Sequence, residues 1–89
     1  MRTIIYTNQV KKDYKLVKKQ NKDQAKLKLV ISKLAAGETL DEKFKDHPLQ
    51  GNYAGTHDCH INPDWLLIYA IVGDELRLIR TGSHSELFE

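Results

Sequence analysis

Hydrophobic and polar positions recur with changing periods along the chain, and each period predicts an element. The opening "RTIIY" gathers β-branched and aromatic residues in a short run and reads as a strand. From Val10 the period lengthens: Val10, Tyr14 and Val17 fall at i, i+4 and i+7, which predicts an amphipathic helix capped by Thr7 or Asn8 with its lysines turned outward. At "NKDQ", Asn21 followed by Gln24 resembles a capping box with Asn in place of Ser or Thr. A second helix should run from about Lys22 to Ala36, with Leu27, Val30, Ile31 and Leu34 on one face and Gly37 as its stop. Two helices so close in sequence form a hairpin.

Residues 38–52, "ETLDEKFKDHPLQGN", hold no period and contain Pro48 and Gly51, so they read as a long loop anchored by Leu40, Phe44 and Leu49. Loops of that length in small domains are often functional. Three strand signals follow: "YAGTHDCHI" into the turn "NPD", the apolar run "WLLIYAIV", and "ELRLIR" after the turn Gly73-Asp74. The prediction is an α+β fold of order β-α-α-β-β-β, a single domain over residues 1–89 in which the helical hairpin packs on a small antiparallel sheet. The central strand is apolar on both faces, so something must cover each. The hairpin covers one, and the other is the place to seek a site.

Charge adds an asymmetry that the net +2 conceals. Residues 1–33 carry ten Lys or Arg against two acids, a balance of +8, and the remaining 56 carry four against ten, a balance of −6. Such a split suits a polyanion or an acidic protein partner, while a solvated helical face is the plainer alternative. No apolar run approaches the length of a membrane span and the start lacks a signal-peptide core, so a cytoplasmic protein with no membrane contact is expected. The lone Cys59 cannot pair internally, which fits a reducing compartment.

The four histidines, His47, His57, His60 and His84, all lie in the acidic part. Strand alternation puts Thr56, Asp58 and His60 on one face and His57, Cys59 and Ile61 on the other. Asp64 and Trp65 follow the turn after His60, and Arg80 ends the last strand on the Leu76/Leu78 side. Histidines with an arginine can supply an acid, a base and a cation at neutral pH, a set suited to cleaving a phosphodiester without metal or other cofactor. With RNA, the substrate's 2′-hydroxyl can be the nucleophile, and Trp65, Tyr53 or Phe88 can stack a base. Singly, each residue has a duller reading: His47 as a loop histidine bonded to backbone, Arg80 and Asp64 as an ion pair, Trp65 as core. In "HDCH", alternation turns His60 away from His57 and Cys59, and no second cluster offers zinc spacing, so no metal site is expected. Cys59 as a nucleophile is no better supported, since a lone mid-strand cysteine is usually a small buried hydrophobe.

The segments "KDHPLQGNY", "HINPDWLLIY" and "RTGSHSELF", preceded by a basic helical hairpin, closely resemble the YafQ branch of the RelE/ParE superfamily of type II toxin–antitoxin toxins. The resemblance spans essentially the whole chain. It implies a RelE-like fold and a ribosome-dependent endoribonuclease that cuts mRNA and inhibits translation. A cognate antitoxin would hold it inactive, with DNA contacted only through that complex. Carried over by motif, the catalytic positions fall on His47, His60, Asp64, Arg80, His84 and Phe88, with Trp65 at the RNA. The histidines and Asp64 then form the acid/base set, Arg80 the phosphate clamp, and Phe88 a residue that positions the scissile nucleotide or a catalytic neighbour. Lys11, Lys12, Lys15, Lys18, Lys19, Lys22 and Lys26 would meet ribosomal RNA phosphates. Relatives often carry Arg where this chain has His57, so a phosphate contact at that position is not carried over. The alternative is a ParE-like toxin that binds DNA gyrase without catalysis, which shares the scaffold but has no use for the histidines.

Overall fold

In the computed structural model, which describes residues 1–88, the chain begins with strand β1 (Thr3–Tyr6) and helix α1 (Asn8–Lys19). Thr7 joins them. Its hydroxyl oxygen accepts from Val10 N at 3.0 Å, capping α1, and the same hydroxyl donates to Ile79 O at 3.0 Å. Val10 and Val17 point into the core, as their spacing predicts.

The turn into helix α2 (Gln24–Ala35) is built differently from the expected capping box. Asn21 sits at φ 56 just past the end of α1, where Asn21 N donates to Lys18 O and Lys22 N to Val17 O, the paired bonds of a Schellman motif. Asn is among the few residues with a Cβ that tolerate this backbone region, so it closes the first helix and does not open the second. Asp23 caps α2 instead, accepting from Ala25 N and Lys26 N. Gly37 ends α2 as expected, at φ 80 with Glu38 N donating to Lys33 O.

Four more strands follow: β2 (His47–Pro48), β3 (His57–Asn62), β4 (Trp65–Val72) and β5 (Glu75–Gly82). The sheet order is β1-β5-β4-β3-β2. The β3-β4-β5 meander is antiparallel, as read, but β1 joins β5 in parallel, so the sheet is mixed. The helical hairpin between β1 and the meander is the crossover that such parallel pairing requires. The long loop holds short structure of its own: 3₁₀ turns at Glu42–Phe44 and Gly51–Tyr53, and the two-residue edge strand β2. Pro48 is tolerated there because an edge strand needs no donor on its outer side.

The main core lies between helices and sheet. Leu27, Val30, Ile31 and Leu34 pack with Cys59, Ile61, Trp65, Leu67, Tyr69, Leu76 and Leu78. The far face carries a smaller cluster of Leu66, Ile68 and Leu87, flanked by Leu49, Tyr53 and Ile79. Leu87 belongs to a terminal helix, α3 (His84–Phe88), that the periodicity alone does not announce. No helix among the described residues is long and apolar enough to cross a membrane.

Candidate active site

The far face of the sheet is where His47, His60 and His84 lie, while His57 faces the helix side. Two residues of β2 pair with β3 so that His47 lies opposite Asp58 and Pro48 opposite His57. His47 Nε2 then stands 3.0 Å from Asp58 Oδ1, while its Nδ1 lies 2.7 Å from Lys45 O. A carbonyl only accepts, so Nδ1 carries hydrogen there. The approach of Nε2 to the carboxyl is a close contact and not an aligned hydrogen bond, because the buried Asp58 Oδ1 has no hydrogen-bond partner. Burial raises the Asp58 carboxyl above its usual range, opposed by the nearby charges of His47, His60 and His84. His60, two positions along β3 from Asp58, places its ring 6.3 Å from that of His47.

The third histidine arrives on α3, whose construction is local. Ser83 and Glu86 form a reciprocal capping box: Glu86 N donates to Ser83 Oγ, and Ser83 N donates to Glu86 Oε1 at 2.7 Å. The latter bond holds the Glu86 carboxyl below its ordinary range. Asp64 accepts from His84 N at 3.3 Å, tying the helix to the β3-β4 turn. Leu87 is 5% exposed, and Tyr53 Oη donates to its carbonyl. Phe88, 37% exposed, lies 5.0 Å from the His84 ring and meets Tyr53 edge to face at 5.7 Å.

Arg80 does not lie on the Leu76/Leu78 side, because β5 is irregular. Tyr69 pairs with Leu78 but the preceding Ile68 pairs with Arg80, so Ile79 is an extra residue in the strand. This β-bulge turns both Ile79 and Arg80 toward the far face. The guanidinium bonds Asp13 of α1 through Nε and Nη2, each at 3.1 Å, and not Asp64. Asp13, buried within α1, also accepts from Thr81 N. The Asp13 bond strengthens the Arg80 charge, with the Tyr53 hydroxyl adding to it.

Trp65 does not serve as a stacking platform here. It is 1% exposed, packs in the helix-side core, and donates from Nε1 to Thr81 Oγ1 at 2.9 Å, so no face of its ring is open to a base. The helical lysines divide. Lys11, Lys15 and Lys18 line a groove with Ile4, Tyr6 and Tyr14, to which no histidine contributes. Lys22 stands over the Trp65 ring, and Lys26 reaches the end of β3 to bond Asn62. Alternation separates the "HDCH" residues as read: His57 stacks on Tyr69 and Cys59 is enclosed on the helix side, where burial pushes its thiol up and keeps it un-ionised.

Two contributors escape sequence reasoning. Asp58 reads only as a neighbour of His60, since its contact with His47 depends on a two-residue strand. Asp13 reads as a stray acid in a basic helix. The Ser83–Glu86 box, by contrast, is a legible S-x-x-E pattern that a search for helix starts finds.

Comparison with known proteins identifies the family and the fold. A family model described as "Bacterial toxin of type II toxin-antitoxin system, YafQ" matches residues 2–89. The mRNA interferase toxin YafQ of Escherichia coli strain K12 is 46% identical over 88 residues, 98% of this chain and 96% of its own length. The crystal structure of YafQ from E. coli strain BL21(DE3) superposes with a TM-score of 0.95 at 42% identity, covering all of both chains. The toxin in the E. coli DinJ-YafQ complex superposes with a TM-score of 0.93 at 43% identity, again over both full chains.

Proposed function

The chain belongs to the YafQ family of toxins from bacterial type II toxin–antitoxin systems, and on that premise we propose that its histidine-lined face is the active site of an mRNA interferase. The observation that carries the reading is the gathering on one face of the His47–Asp58 contact, the neighbouring His60 ring and the bulge-turned Arg80, with His84 tied beside them through Asp64. A general base among the histidines removes the proton of an RNA 2′-hydroxyl, whose oxygen attacks the adjacent phosphorus. The bond to the 5′-oxygen breaks, and a second group protonates that oxygen, leaving a 2′,3′-cyclic phosphate and a 5′-hydroxyl. The His47–Asp58 pair supplies that proton in this reading. Arg80, fixed by Asp13, is oriented to stabilise charge on the phosphoryl oxygens. Phe88, with an exposed ring beside His84, suits stacking on a nucleotide at the cut.

The toxin acts on translating ribosomes in the cytoplasm, where its lysines meet ribosomal RNA, and a cognate antitoxin neutralises it. The E. coli relative solved with DinJ supports that partner. Inducing the protein in translating cells and mapping mRNA 5′ ends tests the reading. New ends that vanish with His84→Ala are expected. Undisturbed transcripts accompanied by DNA damage would instead support a gyrase-directed toxin and refute it.

A further inference from the structure

At the edge of the active face lies a second feature that the chemistry above does not use. Strand β2 covers β3 only at His57 and Asp58, and beyond it the edge from His60 to Asn62 has no strand against it among the described residues. A cavity of about 270 Å³ opens there, lined by Lys26, Lys43, Lys45, His60, Asn62 and Pro63 among others. Three ammonium-bearing side chains come from two segments distant in sequence: Lys26 from α2, and Lys43 and Lys45 from the 3₁₀ turn of the long loop and its C-cap. No carboxylate is among the residues lining the cavity. Gathering three like charges without a counter-charge is unfavourable unless an anion occupies the space.

The placement of these lysines is specific. Lys26 Nζ donates to Asn62 Oδ1 at 2.5 Å, which fixes one cation at the end of β3. Lys45 holds φ 48, a backbone region that residues with a Cβ enter only at a cost, and its carbonyl receives His47 Nδ1. The residue that orients His47 is therefore also one that lines the cationic cavity. His60 belongs to both the cavity and the histidine cluster, so an anion in the cavity lies next to the cleavage chemistry.

We infer that this cavity is a subsite for an mRNA phosphate next to the scissile one, held by Lys26, Lys43 and Lys45. The inference rests on the active-site reading above. The ligand chemistry is a phosphodiester, and both mRNA and ribosomal RNA carry it. Continuity with His60 favours mRNA, because a strand positioned for attack at the histidines must run its neighbouring linkage along this edge. The side chains of Lys43 and Lys45 are exposed, and the bond that orients His47 uses the Lys45 backbone carbonyl, so replacing the two ammonium groups leaves the core and that bond intact.

The test uses the full chain and ribosomes programmed with a defined mRNA. In the double variant Lys43→Gln/Lys45→Gln, KM should rise about tenfold with kcat within a factor of two, as expected for loss of a charge-assisted contact remote from the reacting atoms. The slope of log kcat/KM against log salt should fall by about 0.7, the loss of one single-strand phosphate contact. Replacing either linkage flanking the cut, one at a time, by a neutral methylphosphonate should weaken wild type at one of the two and leave the variant unaffected by the same change. Equal sensitivity of both proteins at both linkages, or an unchanged KM and salt slope, overturns the subsite. If the variant instead loses co-sedimentation with ribosomes while both proteins respond alike to the methylphosphonates, the phosphate is ribosomal and the mRNA assignment is overturned. Cleavage that survives His60→Ala and His84→Ala would refute the active-site reading itself, an outcome distinct from failure of the lysine arm alone.

Discussion

Substituting Leu87 by Ala should detach chemistry from folding. Leu87 is buried against Leu66 and Ile68, outside the main core that the helices form with the sheet. Leu→Ala removes three carbons, and at about 0.8 kcal/mol for each the loss is about 2.5 kcal/mol. That lies toward the low end of the range for buried leucines, as suits a site under a surface helix that can partly collapse. A change of this size raises the opening constant of α3 about 60-fold. Because α3 carries His84 and Phe88, the cleavage rate should fall as the docked fraction falls. The assay pairs single-turnover cleavage with hydrogen exchange at the amides of His84, Glu86 and Leu87, which bond Asp64, Ser83 Oγ and Ser83 O respectively. Exchange at those three should accelerate while amides of β4 stay protected. Leu87→Met, which conserves volume, should lie near wild type. Wild-type cleavage in Leu87→Ala, or a loss seen only as a lower global unfolding midpoint with α3 still protected, would refute the reasoning.

Asp13→Ala leaves the Arg80 guanidinium and Thr81 N without their acceptor, and with Arg80 partly solvated it should cost about 2 kcal/mol in urea unfolding. Its kcat should drop further than its KM changes, and an unchanged unfolding midpoint would contradict the pairing. Tyr69→Phe removes the 2.7 Å bond from Tyr69 Oη to Asp46, the residue before His47, and should cost about 1 kcal/mol and slow cleavage several-fold; wild-type kinetics would show that this bond does not position His47. Glu86 has a lowered pKa, so its contribution to α3 is complete above the usual 4.5 and is lost as pH falls through the lowered value. Asp58 is raised and behaves oppositely: its contribution is complete below the usual 3.8 and is lost as pH rises through the raised value. In an NMR titration, α3 amide shifts should follow Glu86 downward in pH and become insensitive in Glu86→Gln, and α3 signals that ignore acid would sink the capping argument.

Elements whose information is local were legible from residue pattern. Val10, Tyr14 and Val17, the Leu27–Leu34 face, Gly37 and the two short turns each carry their signal within a few residues, and the structure places them accordingly. Elements that depend on distant pairing were not. A two-residue strand such as β2 has no period, so the His47–Asp58 contact emerges only once β3 lies beside it. Alternation puts Arg80 on the wrong face because it assumes an unbroken ladder, and a bulge leaves no mark in hydropathy. Asn21 fits two capping roles in sequence, and only the backbone angle distinguishes them. Trp65 could be read from its motif as a stacking residue, yet it begins a strand covered on both faces, where a large ring is core.

Along a strand, the face a residue occupies is a parity, and the extra residue at Ile79 reverses that parity for everything after it. Leu76 and Leu78 face the helices at even numbers, whereas Thr81 does so at an odd one. Without the reversal, two neighbours would exchange places together. The arginine would be driven beneath the helices, where its charge has no water, and the threonine would turn outward and abandon the Trp65 indole. No substitution at Arg80 or Thr81 can reproduce that double exchange, but a single-residue insertion or deletion between Leu78 and Arg80 can. The spacing from the last core leucine to the arginine is therefore as much a determinant of the site as the arginine itself.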